Sequence, residues 1–123
     1  MGIKLSDHFN SNEFACHCGC GDSAVSDKLV NVLEIIRTAV GRPLSVVSGK
    51  RCEKHNRAVG GVKNSQHKLG MAADIKVSGL TPRQVHDAIE KLHHEGVAHI
   101  GGLGLYKTFV HVDVRGGVAR WNG

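Results

Sequence analysis

Ser65-Gln66-His67-Lys68-Leu69-Gly70-Met71-Ala72-Ala73-Asp74 is the stretch on which the fold turns. His67 and Asp74 stand seven residues apart, and a continuous helix would separate them by about 10 Å along its axis, too far to share one ion. Gly70 instead offers a point where the chain can reverse. Met71-Ala72-Ala73-Asp74-Ile75-Lys76-Val77 then reads as a short strand that returns Asp74 to the side of His67. Later in the chain, Phe109-Val110-His111-Val112-Asp113-Val114 alternates with period two, so Phe109, His111 and Asp113 share one face and three valines the other. His67, Asp74 and His111, two imidazoles and a carboxylate on segments that can converge, are a donor set suited to a zinc ion that keeps a fourth position open for water.

Outward from this pair of segments, the pattern predicts an α+β chain. Ser26 is the expected N-cap of a helix whose buried stripe is Leu29, Val32, Leu33, Ile36, Ala39 and Val40, closed by Gly41 and Pro43. Leu44–Ser48 reads as a strand, and residues 50–59 as a polar helical link ended by Gly60-Gly61. Thr81-Pro82 opens a second long helix, with Val85, Ala88, Ile89 and Leu92 inward and His86, His93 and His94 as surface residues, ending at Gly96. Segments 103–106, 109–114 and 118–121 read as strands of an antiparallel meander, with the helices packed on one face of the sheet.

The chain has 123 residues and 41% hydrophobic content, which suits one compact domain spanning residues 1–123. No apolar run is long enough to cross a bilayer, and the opening Met-Gly-Ile-Lys-Leu-Ser-Asp-His lacks the apolar core of a secretory signal. Synthesis in the cytoplasm, with any export by another route, is the expectation, as is a monomer. A formal net charge of +5 favours a polyanionic neighbour. Nucleic acid is disfavoured, because the basic residues are scattered and only five aromatic residues (three Phe, one Tyr, one Trp) are available for base stacking. An iron oxygenase built on His111-x-Asp113 is excluded too, since none of the residues after Asp113 is the second histidine it needs.

Three of the four cysteines, Cys16, Cys18 and Cys20, crowd into a segment at about 14–21, and the fourth is Cys52. Bridging such near neighbours to one another is strained, which leaves a disulfide to Cys52, a structural zinc site with or without His17, or reduced thiols as open alternatives.

Ser48-Gly49-Lys50-Arg51, His55-Asn56-Arg57-Ala58-Val59-Gly60-Gly61, Asn64-Ser65-Gln66-His67 with Gly70, Ala72-Ala73-Asp74 and His111-Val112-Asp113 together resemble the zinc D-alanyl-D-alanine carboxypeptidase family of cell-wall peptidases. These enzymes share their fold with the Hedgehog signalling domain, and the short forms found in phage and bacterial genomes are the most similar. Glu13 to Gly21 resembles the opening of those short forms. The resemblance implies a zinc peptidase acting on peptidoglycan stem peptides, as a carboxypeptidase or as an endopeptidase of the endolysin type. It also implies His67, Asp74 and His111 as zinc ligands, Arg51 as the residue that engages a substrate carboxylate or carbonyl, and Ser65 as a substrate-backbone contact.

The chemistry implied is metal-assisted hydrolysis, in which zinc polarises the scissile carbonyl and a carboxylate takes the proton of the attacking water. Many members carry that carboxylate three residues before the last ligand, and here this position is Thr108. Asp113 becomes the candidate catalytic base, with the orienting of a ligand histidine as the competing assignment and Glu53 as a weaker substitute. If no carboxylate is placed to accept the proton, the alternative is a catalytically silent zinc domain that binds cell-wall peptides or a protein partner.

Overall fold

The computed structural model describes residues 2–123. The elements run in the order α1 (Asp27–Val40), β1 (Leu44–Ser48), α2 (Glu53–Ala58), β2 (Ala72–Val77), α3 (Pro82–His94), β3 (Gly102–Leu105), β4 (Val110–Asp113) and β5 (Ala119–Asn122), preceded by a 3-10 turn at Ser11–Phe14. The architecture is α+β, as the sequence pattern implies. Among the described residues no helix is long and apolar enough to cross a membrane.

The two long helices begin and end where local chemistry requires. Ser26 Oγ accepts the Leu29 N–H at 3.1 Å to cap α1, and Gly41 closes it in the left-handed region that glycine alone enters freely. Thr81 and Gln84 form a reciprocal capping box at the start of α3, with Pro82 in its first turn. Leu29, Leu33 and Ile36 of α1 and Val85 and Ile89 of α3 are essentially inaccessible. They meet Ala73, Ile75 and Val77 of β2 and Val110 and Val112 of β4 in one core. Each of the Leu, Ile and Val side chains among them contributes about 1.5–3 kcal/mol by leaving water. His93, expected on the surface, is half-buried, and its Nδ1 accepts the Ile100 N–H at 3.1 Å to hold the turn after α3.

The sheet order is β1-β2-β4-β3-β5. β1 pairs with β2, β2 with β4, and β4 with β3, all antiparallel. The expected meander fails at its last strand. β4 already has β2 on one edge and β3 on the other, so the chain leaving β4 must cross to the free edge of β3, where β5 pairs in parallel. One consequence matters for the site: Trp121 of β5 lies level with Gly104 of β3, which in turn lies level with His111 of β4.

Candidate metal centre

In the β2–β4 ladder Asp74 stands opposite His111 and Ala72 opposite Asp113. The alternation that sends Ala73, Ile75, Val110 and Val112 into the core therefore turns Asp74, His111 and Asp113 to the opposite face. His67 comes from the loop before β2. In that loop the Gly70 N–H donates to the His67 carbonyl at 3.3 Å and the Met71 N–H to the Gln66 carbonyl at 3.1 Å. Gly70 has φ of +69°, and a Cβ there would lie 2.3 Å from the Ala24 carbonyl oxygen, so both the turn and its packing require glycine. The reversal leaves His67 Nε2 3.2 Å from Asp74 Oδ1, and His111 Nδ1 3.1 Å from the same oxygen.

The far nitrogen of each ring fixes its tautomer. His67 Nδ1 lies 2.8 Å from the Gly49 carbonyl oxygen, which can only accept, so Nδ1 carries the hydrogen. His111 Nε2 lies 2.8 Å from Asp113 Oδ2 and donates in the same way. For the neutral rings this leaves lone pairs at His67 Nε2 and His111 Nδ1, both turned toward an Asp74 oxygen. Three electron-rich atoms so close repel one another unless a cation lies between them. A tetrahedral zinc with bonds of about 2.0–2.1 Å sets its ligand atoms about 3.3 Å apart, so these three residues fit that ion. Without a metal the cation is a proton. Burial disfavours a charged His111, but its hydrogen bonds to Asp113 and Asp74 outweigh that and raise its pKa. Burial likewise opposes ionisation of Asp74, and its polar contacts with the His111 and His67 rings overcome it and bring the pKa down to about 2.

Asp113 is placed differently from the expected proton acceptor. It is 0% exposed and does not line the cleft. Besides His111, its oxygens accept from the Gly102 N–H at 2.7 Å, Arg115 Nε at 2.9 Å and Arg115 Nη2 at 2.7 Å. Burial would raise its pKa, but these donors hold it well below the usual carboxylate range. Its geometry is that of a group that orients a ligand histidine. Glu53 is exposed, paired with Lys68 at 2.6 Å, and does not face the centre, and Thr108 is exposed and outside the cleft.

Arg51 and Ser65 do reach the cleft. Arg51 Nη2 lies 3.6 Å from Asp74 Oδ2, while its Nη1 donates to Asn56 Oδ1 at 3.3 Å and its backbone N–H to the His67 carbonyl at 3.0 Å. Asn56 is buried and ties the 60–62 loop through the Val62 carbonyl at 2.8 Å. Ser65 Oγ accepts the His67 N–H at 3.2 Å, so it holds the loop as well as bordering the cleft.

The cleft above the centre has a volume of about 580 Å³. Its far wall was not legible in the sequence. Tyr106 and Phe109 stack with centroids 4.5 Å apart, the Trp121 indole N–H donates to the Tyr106 hydroxyl at 2.9 Å, and the Trp121 ring lies 5.0 Å from that of His111. Gly102 and Gly104 make this possible: a Cβ at Gly102 would lie 2.1 Å from Asp113 Oδ2, and one at Gly104 2.4 Å from Trp121 Nε1. Alternate glycines inside a short strand were the available signal, because they mark close approach by a neighbour. Elsewhere, the sulfurs of Cys16, Cys18, Cys20 and Cys52 gather within 4.8 Å of one another, all unbridged and without His17.

A Haemophilus influenzae protein described as "Probable peptidoglycan L,D-endopeptidase MepK" is 33% identical over 87 residues, covering 65% of this chain and 43% of the relative's own length. The chain thus spans less than half of that relative. A wider match, to the family described as Peptidase M15, runs over residues 7–113 and takes in His67, Asp74 and His111 together with the loop and strands that bring them into contact; the chain belongs to the peptidase M15 family.

Proposed function

We propose that this chain hydrolyses peptide bonds in the stem peptides of bacterial peptidoglycan, using a zinc ion held by His67 Nε2, Asp74 Oδ1 and His111 Nδ1. The observation that carries the reading is the convergence of those three atoms on one point, with both ring tautomers fixed from behind by Gly49 and Asp113. Bound there, zinc supplies Lewis acidity that polarises a carbonyl and acidifies water. The chain's own residues do the rest. Asp113 holds the His111 hydrogen on Nε2 and keeps Nδ1 available. Arg51, at the cleft wall and steadied by Asn56, presents a planar fork to a stem-peptide carboxylate or to a carbonyl oxygen gaining charge. Ser65 holds the His67 loop and offers its hydroxyl hydrogen to peptide backbone. Tyr106, Phe109 and Trp121 supply an apolar wall that limits water on one side.

The description of the relative supports an endopeptidase that cuts an L,D bond, in preference to removal of a terminal D-alanine. A second reading is favoured by one observation: among the described residues, Asp74 is the sole carboxylate lining the cleft, because Asp113 is sealed behind His111 and Glu53 is tied to Lys68. A zinc domain that binds wall peptides without cutting them would have this arrangement. Incubation of purified muropeptides with the zinc-loaded protein, with products identified by mass, separates the two. Cleavage that stops with chelator is the expected result, and the mass of the fragments names the bond. Intact muropeptides that nonetheless bind the protein would establish the second reading.

A further inference from the structure

We propose that Cys16, Cys18, Cys20 and Cys52 form a second metal site, a four-thiolate zinc centre that clamps the N-terminal segment onto the turn carrying Arg51. The cluster is separate from the His67 centre and stands whether or not the chain is a hydrolase. The sulfurs of Cys16, Cys18 and Cys52 form a near-equilateral triangle, with separations of 3.5, 3.6 and 3.8 Å, and Cys20 completes a group in which all four lie within 4.8 Å of one another. Zinc–sulfur bonds of about 2.3 Å place the sulfurs of a tetrahedron about 3.8 Å apart. One disulfide would leave two thiols beside it, and a second would have to bridge two of the near neighbours Cys16, Cys18 and Cys20 under strain, whereas a single ion uses all four.

The surrounding backbone is arranged for thiolates. The Cys52 N–H points to Cys16 Sγ at 3.5 Å and the His55 N–H to Cys52 Sγ at 3.4 Å, which are donors of the kind that share the charge of metal-bound sulfur. Gly19 and Gly21 have φ of +85° and +83°, and these turns let three cysteines of one short segment face a common point.

The position of the cluster gives the ion a task. Two residues before Cys16, Phe14 lies so close to Gly49 that a Cβ on that glycine would be 2.7 Å from the Phe14 Cα, and the Lys50 N–H donates to the Phe14 carbonyl at 2.9 Å. Gly49 in turn supplies the carbonyl that fixes His67, and Arg51 is bonded to the adjacent ligand Cys52. A zinc ion joining Cys16, Cys18 and Cys20 to Cys52 therefore ties the outer segment to the residues that set the wall of the cleft.

The test is metal content and thiol reactivity of the full chain purified under reducing conditions. The His67→Ala/His111→Ala variant is expected to retain one equivalent of zinc and, after exchange with cobalt, to show the near-ultraviolet sulfur-to-metal charge transfer of a tetrahedral thiolate site. Cys18→Ser/Cys20→Ser should abolish that band. In the unsubstituted chain, which avoids any folding defect of the variants, the four thiols should react with a thiol reagent about tenfold or more faster once a strong chelator is added. Thiols equally reactive with and without chelator, a charge-transfer band that is absent from the histidine variant, or a mass two hydrogens lighter than the reduced chain would each overturn the proposal. None of these readouts depends on peptide cleavage.

Discussion

Asp113 illustrates how a side chain that does not line the cleft can govern one that does, His111. Its carboxylate, crowded by Gly102 and Arg115, keeps the His111 hydrogen on Nε2, so Nδ1 is the nitrogen that takes up a cation, whether proton or metal. Replacing such a partner typically lowers metal affinity by about 10- to 100-fold. Asp113→Ala is accordingly expected to weaken zinc binding by that order, measured by competition with a chromophoric chelator, and affinity unchanged from the parent would return Asp113 to the role of proton acceptor. The same pair sets a pH dependence. Because the His111 pKa is raised above its ordinary value of 6.5, protons compete for Nδ1 at a higher pH than an isolated imidazole would allow. Zinc affinity should fall as pH drops through that raised value, and in Asp113→Ala, which loses the main cause of the rise, the onset of the fall should move to lower pH. An onset identical in both proteins would contradict the assigned hydrogen bond. The convergence of His67, Asp74 and His111 was legible in the sequence because donor type and a glycine turn are local properties. The environment of Asp113 was not, since it depends on which strand lies beside β4.

Among the elements, the helices declared themselves through caps: Ser26, Thr81, Pro82 and Gly41 act within one turn of the residues they affect. β3 did not, because its meaning lies in what leans over it. Gly102 and Gly104 carry no side chain, and the space is filled by the Asp113 carboxylate and the Trp121 indole. A methyl group at Gly102 must displace a buried, fully bonded carboxylate, and overpacking of this kind costs about 1–3 kcal/mol. Gly102→Ala should lower the thermal midpoint and weaken zinc binding together, whereas Gly117→Ala, where nothing lies within 4 Å of the added carbon, should change neither. A stable, metal-competent Gly102→Ala protein would show that the carboxylate is not held where the structure puts it. The parallel pairing of β5 escaped the sequence pattern for a related reason, since periodicity identifies strands but not the free edge that a late strand must take.

Over the whole molecule, one face of the sheet is committed to the core and the other to the cleft, so Asp74 and His111 sit on strands braced from behind by α1 and α3, and His67 on the loop that leads into β2. The formal net charge of +5 gives the chain a field that favours polyanions. Co-sedimentation with purified anionic cell walls should therefore decline as salt is raised and the Debye length shrinks from about 10 Å at 0.1 M to about 3 Å at 1 M; binding indifferent to salt would remove charge as the cause. Whether three side chains and one zinc ion make this chain a peptidase is decided by rate. Protein stripped with chelator is given back zinc in steps while muropeptide cleavage is followed, for the unsubstituted chain and for His111→Ala. Cleavage is expected to return with zinc in the first and to stay absent in the second; cleavage that survives chelation, or that zinc restores equally in both, would show that the ion or its His111 donor is dispensable.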